Sequence, residues 1–76
     1  MPNLPHLSGR EIIRALERLG FVQARQRGSH VVMKKSTSDG SIGCVVPMHS
    51  EVAIGTLHSI LKQAKVSAEE FLKVVK

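Results

Sequence analysis

The sequence predicts an α+β domain in which helices cover one face of a small antiparallel sheet. Three observations predict it. Ser-x-x-Glu capping signals stand near both ends of the chain, as Ser8-Gly9-Arg10-Glu11 and Ser67-Ala68-Glu69-Glu70. Between them the apolar period changes from helical to strand-like after Gly20, and returns to helical beyond Pro47. The links between the strand-like runs are a few residues long, which is too short to join parallel strands.

The first helix starts at the Ser8 cap, with Leu7 and Ile12 placed as an apolar staple across it, and runs to about Leu19. Ile12, Ile13, Leu16 and Leu19 form its buried stripe; Arg14, Glu17 and Arg18 face away. Gly20 supplies the left-handed residue that ends it. Residues 21–26, 29–35 and 41–46, rich in Val and Ile, read as three strands of an antiparallel meander. Arg27-Gly28 is a tight connection, Ser36-Thr37-Ser38-Asp39-Gly40 is a turn cluster, and Pro47 closes the third strand. After a loop over 47–54, Leu57, Ile60, Leu61 and Ala64 recur at helical spacing, giving a second helix from Gly55 or Thr56 to Ala64. A short third helix follows Ser67, with Val66 and Phe71 as its staple. The order αβββα(α) is that of the double-stranded-RNA-binding domain, a likeness of architecture that does not by itself carry function.

Seventy-six residues bury enough surface for one core, so residues 1–76 are expected to form a single domain. No apolar run approaches the roughly 20 residues of a membrane span. The start, Met1-Pro2-Asn3-Leu4-Pro5-His6, lacks the basic and apolar regions of a secretory signal. The one cysteine, Cys44, sits in an apolar run and reads as a buried small side chain in a reducing compartment. A cytoplasmic protein with no membrane partner is expected.

The formal charge is +5, and all of it arises between residues 10 and 35, where seven bases stand against two acids. A positive region around the first helix and the following strands attracts polyanions, and phosphate contacts supply most sequence-independent affinity for nucleic acid. A solvated basic surface is the plainer explanation of the same charge.

Chemistry narrows to few residues. Of the four histidines, His30 and His49 stand where catalysis is plausible. His30 follows Gly28-Ser29 at the mouth of the second strand, near Arg27 and Lys34, so that imidazole and cations can converge on one phosphate. Period two places His30, Val32 and Lys34 on one face and Val31, Met33 and Lys35 on the other; if the latter meet the helices, His30 points outward. A histidine merely tolerated at a half-buried strand position is the competing reading. His49 lies on a loop, as a second acid or base or as a simple hydrogen-bonding group. No CxxC or HxxxH spacing supports a metal, so neither metal nor cofactor is expected. No phosphate loop, dinucleotide fingerprint or serine elbow is present. With two Phe and no Tyr or Trp, the chain has no aromatic platform for stacking bases, so charge must carry most RNA affinity.

Leu19-Gly20-Phe21, Arg25-Gln26-Arg27-Gly28-Ser29-His30, Val46-Pro47-Met48-His49, Gly55-Thr56-Leu57 and Ile60-Leu61-Lys62-Gln63-Ala64 together resemble the HicA toxin family, in order and over nearly the whole chain. The chain departs from the family pattern in the less polar stretch 50–54 and at Lys65, where a helix-ending glycine would be easier to explain. The resemblance implies a double-stranded-RNA-binding-like fold, metal-independent ribonuclease activity on messenger RNA, and inhibition by a HicB-type antitoxin lying over the site. It implies that His30 is the catalytic residue, with Gly28 and Ser29 completing its motif; His49 on its loop is a supporting candidate, and Arg25, Arg27, Lys34 and Lys35 of the basic segment are the candidate RNA-binding cations. In the mechanism that follows, His30 takes the proton of a ribose 2′-hydroxyl, which attacks the adjacent phosphorus to leave a 2′,3′-cyclic phosphate. Arg27 and Lys34 would neutralise phosphoryl charge, and His49 would protonate the leaving 5′-oxygen.

Two other functions compete. In a non-catalytic nucleic-acid-binding module the basic segment suffices and His30 is incidental. A helix-turn-helix over residues 56–75 is weaker, because its charges cancel and Glu69 and Glu70 open the would-be recognition helix.

Overall fold

Both Ser-x-x-Glu signals fold as capping boxes. In the computed structural model, which describes residues 3–75, the Ser8 hydroxyl accepts from the Glu11 N–H (3.1 Å) and the Glu11 carboxylate accepts from the Ser8 N–H (2.9 Å). Ser67 and Glu70 repeat the exchange at 3.0 Å each way. The Ser67 backbone and hydroxyl hydrogen bonds hold the Glu70 carboxyl below its usual range. These caps open α1 (Gly9–Arg18) and α3 (Ala68–Val74); α2 spans Ile54–Ala64, one residue earlier than its apolar period suggests. The reading of the first two residues as free of a leader, and the charge of Lys76, lie outside the described residues.

Leu19 caps α1, and the chain turns in a Schellman motif: Gly20 (φ +99°) donates to the Glu17 carbonyl and Phe21 to the Leu16 carbonyl, each at 3.0 Å. Phe21 was expected to start the first strand. It instead packs into the core at 2% exposure as the apolar partner of this motif. At the end of α2, Lys65 itself takes the left-handed conformation (φ 57°), which explains the departure seen in the sequence: the turn is made there without glycine.

The strands are β1 (Val22–Arg27), β2 (His30–Thr37) and β3 (Gly40–Pro47), in the order β1-β2-β3 and antiparallel throughout. The turn cluster at 36–40 proves largely ladder, since Ser36 pairs with Ser41 and Thr37 with Gly40. Polar side chains on an exposed hairpin pay nothing for this pairing, so turn-type composition misplaces the end of β2 by two residues and the start of β3 by one. Val31 and Met33 of β2 and Cys44 and Val46 of β3 point to one side, where they meet Ile12, Ile13, Ala15, Leu16, Leu57, Ile60, Leu61 and Phe71 in one core. Burial pushes the Cys44 thiol up to about 11, as expected for a small buried side chain. α3 packs against α1 and α2, and Arg18 Nη1 donates to the Val74 carbonyl (3.1 Å). The αβββαα order and the single helix-covered face agree with the double-stranded-RNA-binding-like architecture.

β1 is the exception to this burial. All six of its residues are exposed, while the main helix–sheet packing of α1 and α2 falls on β3, at the other edge of the sheet. β1 carries too little apolar surface, as Val-Gln-Ala-Arg-Gln-Arg, to draw a helix there.

Candidate active site

Three pieces of chain meet at one end of the sheet. The first is the β1–β2 hairpin, in which Arg27 pairs with His30 across the two-residue loop Gly28-Ser29. Gly28 has φ +56°, and a Cβ built there would meet nothing within 4 Å. Its role is therefore conformational: it supplies the positive φ that a two-residue hairpin needs at its first loop position. The second piece is the end of β3. Pro47 lies opposite His30, and the Met48 N–H donates to the Ser29 carbonyl at 2.6 Å, pinning the 47–49 segment to the hairpin. The third is the start of α1, where the Gly9 N–H donates to the His49 carbonyl (2.9 Å). Gly9 is buried against this segment; a Cβ there would overlap the Pro47 carbonyl oxygen and lie 2.9 Å from Met48 Cα.

This end of the molecule brings Arg27, Gly28, Ser29 and His30 beside Met48 and His49. His30 is exposed, on the face opposite Val31 and Met33, which removes the half-buried alternative for this histidine. His49 is exposed and, with Ser8, Arg10, Met48 and Ser50, lines a hollow of about 280 Å³ at the start of α1. His6 contacts Glu51 (Nδ1 to Oε2, 3.3 Å), and His58 lies on the exposed side of α2, so neither joins the cluster.

A β-bulge sorts the side chains of β1. Register shifts between Gln23 and Arg25, so that Val22, Arg25 and Arg27 lie opposite Lys34, Val32 and His30, while Gln23 and Gln26 lie opposite Met33 and Val31. Directly opposed residues share a face. The helix-free face therefore carries His30, Arg25, Arg27 and Lys34 together with Val22 and Val45, which are 61% and 41% exposed. Arg25, opposite Val32, stands two residues along from His30, whereas Lys34 is four residues along the strand, roughly 13 Å at the rise of an extended chain. Lys35 is placed apart from the others. It lies on the helix-covered side with Nζ 5.8 Å from the centre of the Phe21 ring, and its charge acts on Glu70.

On the other side of β1 the overhanging strand and α1 enclose a cleft of about 330 Å³, lined by Arg10, Ile13, Arg14, Glu17, Gln23, Gln26, Val31 and Met48. Sequence reasoning gave Arg10 and Arg14 only as part of a charge excess and gave no role to the glutamines. No signal in the sequence marks the bulge that turns both amides to one side. Among the described residues, no group of three or more His, Cys, Asp or Glu side chains is placed to hold a metal ion, and no helix is long and apolar enough to cross a membrane.

An αβββαα sheet protein whose hairpin glycine, exposed histidine and flanking arginines gather at one strand end has the build of a small basic domain of the double-stranded-RNA-binding type. Residues 9–66 match a sequence family described as the HicA toxin of bacterial toxin-antitoxin. The match covers most of the chain, which belongs to the HicA toxin family; it is a toxin of the toxin–antitoxin kind. No curated protein matches the chain.

Proposed function

We propose that the chain is a metal-independent endoribonuclease that cleaves messenger RNA in the cytoplasm, with His30 as its catalytic residue. The observation that carries this reading is the exposed His30 paired with Arg27 across the Gly28-Ser29 loop, which lets an imidazole and a guanidinium reach the same phosphodiester. Imidazole is the side chain whose ordinary pKa lies nearest neutrality, so it can accept a proton and later release it. His30 removes the proton from a ribose 2′-hydroxyl. The 2′-oxygen forms a bond to phosphorus as the bond from phosphorus to the 5′-oxygen breaks, and the leaving oxygen takes a proton from His49 or from water. Products are a 2′,3′-cyclic phosphate and a 5′-hydroxyl. Arg27, with Arg25 two residues away on the same face, offsets the charge that gathers on the phosphoryl oxygens; Lys34 guides the chain farther along that face. Gly28 shapes the loop, and Ser29 holds it to Met48 through its carbonyl.

Family membership implies an antitoxin partner. We propose a HicB-type protein seated on the helix-free face, where Val22 and Val45 offer apolar contact and Arg25, Arg27 and Lys34 offer positive charge to an acidic surface. Occupying that face covers His30 and stops cleavage.

The alternative of a non-catalytic nucleic-acid-binding module draws on the same cations. Incubating purified protein with an RNA strand and with DNA of the same sequence separates the two. Cleavage of the RNA with the DNA left intact is expected, because DNA lacks the 2′-hydroxyl nucleophile. Binding without cleavage of either would support the module instead.

A further inference from the structure

We propose that the cleft between α1 and β1 is a subsite for one unpaired nucleobase of the RNA, with Gln23 and Gln26 reading the base and Arg10 and Arg14 holding the adjacent phosphates. The proposal rests on the ribonuclease reading of the hairpin site and gives it a source of base preference.

The bulge is the first support. Strict alternation would send Gln23 and Gln26, three residues apart, to opposite faces; the shift between Gln23 and Arg25 turns both toward α1. Both line the cleft, which agrees with their pairing opposite the buried Met33 and Val31. Lining supplies the second support. Ile13 and Val31, 4% and 0% exposed, form an apolar floor, and the half-buried thioether of Met48 offers a polarisable surface to a flat ring. At about 330 Å³ the cleft lies at the small end of ligand sites, which run from roughly 300 to 1,000 Å³, so it suits one base rather than a folded stretch of chain.

The polar groups fit a base edge. A carboxamide presents an acceptor beside a donor, the pattern that meets adenine N6–H and its neighbouring ring nitrogen. Gln26 Nε2 donates to the Gly28 carbonyl at 3.1 Å, which fixes its amide and leaves Oε1 and the second N–H for a ligand. The same bond ties the subsite to the loop that carries His30. Arg10 and Arg14, one turn apart on α1, are exposed, and among the described residues the one salt-bridge contact is between His6 and Glu51. Both guanidiniums are thus available to phosphate. Glu17 lines the far end of the cleft, where it disfavours phosphate and can accept from an exocyclic amine. Arg10 and Met48 also line the hollow beside His49, so the cleft adjoins that hollow at the end of the sheet where Met48 is bonded to the β1–β2 loop; His30 stands at the same strand end on the opposite face.

The test uses the full chain with His30→Ala, which prevents turnover, and fluorescein-labelled single-stranded oligoribonucleotides of A, C, G or U, read by anisotropy. Adenine is expected to bind roughly tenfold tighter than the weakest of the four, the scale of one good amide–base pairing. Adding Gln23→Ala and Gln26→Ala should bring the four affinities within about threefold of one another, and adding Arg10→Gln should weaken all four alike. Equal binding of the four oligomers, a preference that survives the glutamine substitutions, or no binding at all overturns the subsite. Failure of the ribonuclease reading looks different: wild-type protein leaves RNA intact while the His30→Ala protein keeps its glutamine-dependent preference. Both glutamines are exposed, and circular dichroism of each variant confirms that the fold is kept.

Discussion

Cells expressing the His30→Ala chain are expected to keep growing with intact total RNA, while the wild type arrests growth and degrades it. Positioned acid–base groups contribute about 10²–10⁴-fold to such reactions, so cleavage by the variant should fall by roughly three orders of magnitude. Stability should not fall with it. His30 is exposed at the head of β2 and contributes nothing to the core, and surface substitutions of this kind change stability by about 0.5 kcal/mol or less. A melting curve on the purified variant therefore separates loss of chemistry from loss of fold. Growth arrest that persists in His30→Ala would remove this residue from the mechanism.

Gly9→Ala is expected to have the largest effect among substitutions that add a single methyl group. The new Cβ would overlap the Pro47 carbonyl oxygen and crowd Met48 Cα at 2.9 Å, and both are backbone atoms with no rotamer to change. Either the start of α1 or the 47–49 segment must move, at about 1–3 kcal/mol for an overpacked interior position. The hydrogen bond from Gly9 to the His49 carbonyl stretches with it. Denaturant unfolding should show the loss as a lower midpoint. Cleavage measured well below that midpoint should also drop, because Pro47 and Met48 hold the loop that precedes His30. An Ala variant as stable and as active as wild type would mean that this junction neither supports the fold nor positions the site.

Most of the fold could be read because its signals are local. Each capping box is satisfied within four residues, so Ser8 and Ser67 announce their helices without help from the rest of the chain. The outward direction of His30 followed from period two once Val31 and Met33 were taken as core, and both are fully buried. The features missed are those set by non-local geometry. Phe21 reads as a strand residue, yet the Schellman turn takes it into the core. Lys35 is the reverse case: period two puts it on the helix side with Val31 and Met33, where it lies above Phe21, and grouping it with Arg25, Arg27 and Lys34 as an RNA-binding cation sets this alternation aside. The cleft is lined by α1 and β1 together, and a bulge that shifts one register position turns both glutamines into it; neither fact is written in the composition of Val22–Arg27. Family resemblance pointed to the hairpin and to His30. It gave no role to Gln23 or Gln26, whose convergence is visible only in the folded chain.

The most direct test of the central claim is the chemistry of the cut ends. Purified wild-type protein is incubated with a defined RNA in the presence of EDTA, and the products are weighed by mass spectrometry. Cleavage that proceeds without metal and leaves 2′,3′-cyclic phosphate and 5′-hydroxyl ends is the predicted result. Products ending in 5′-phosphate, or cleavage that requires a divalent ion, would contradict attack by the ribose hydroxyl with His30 as its base.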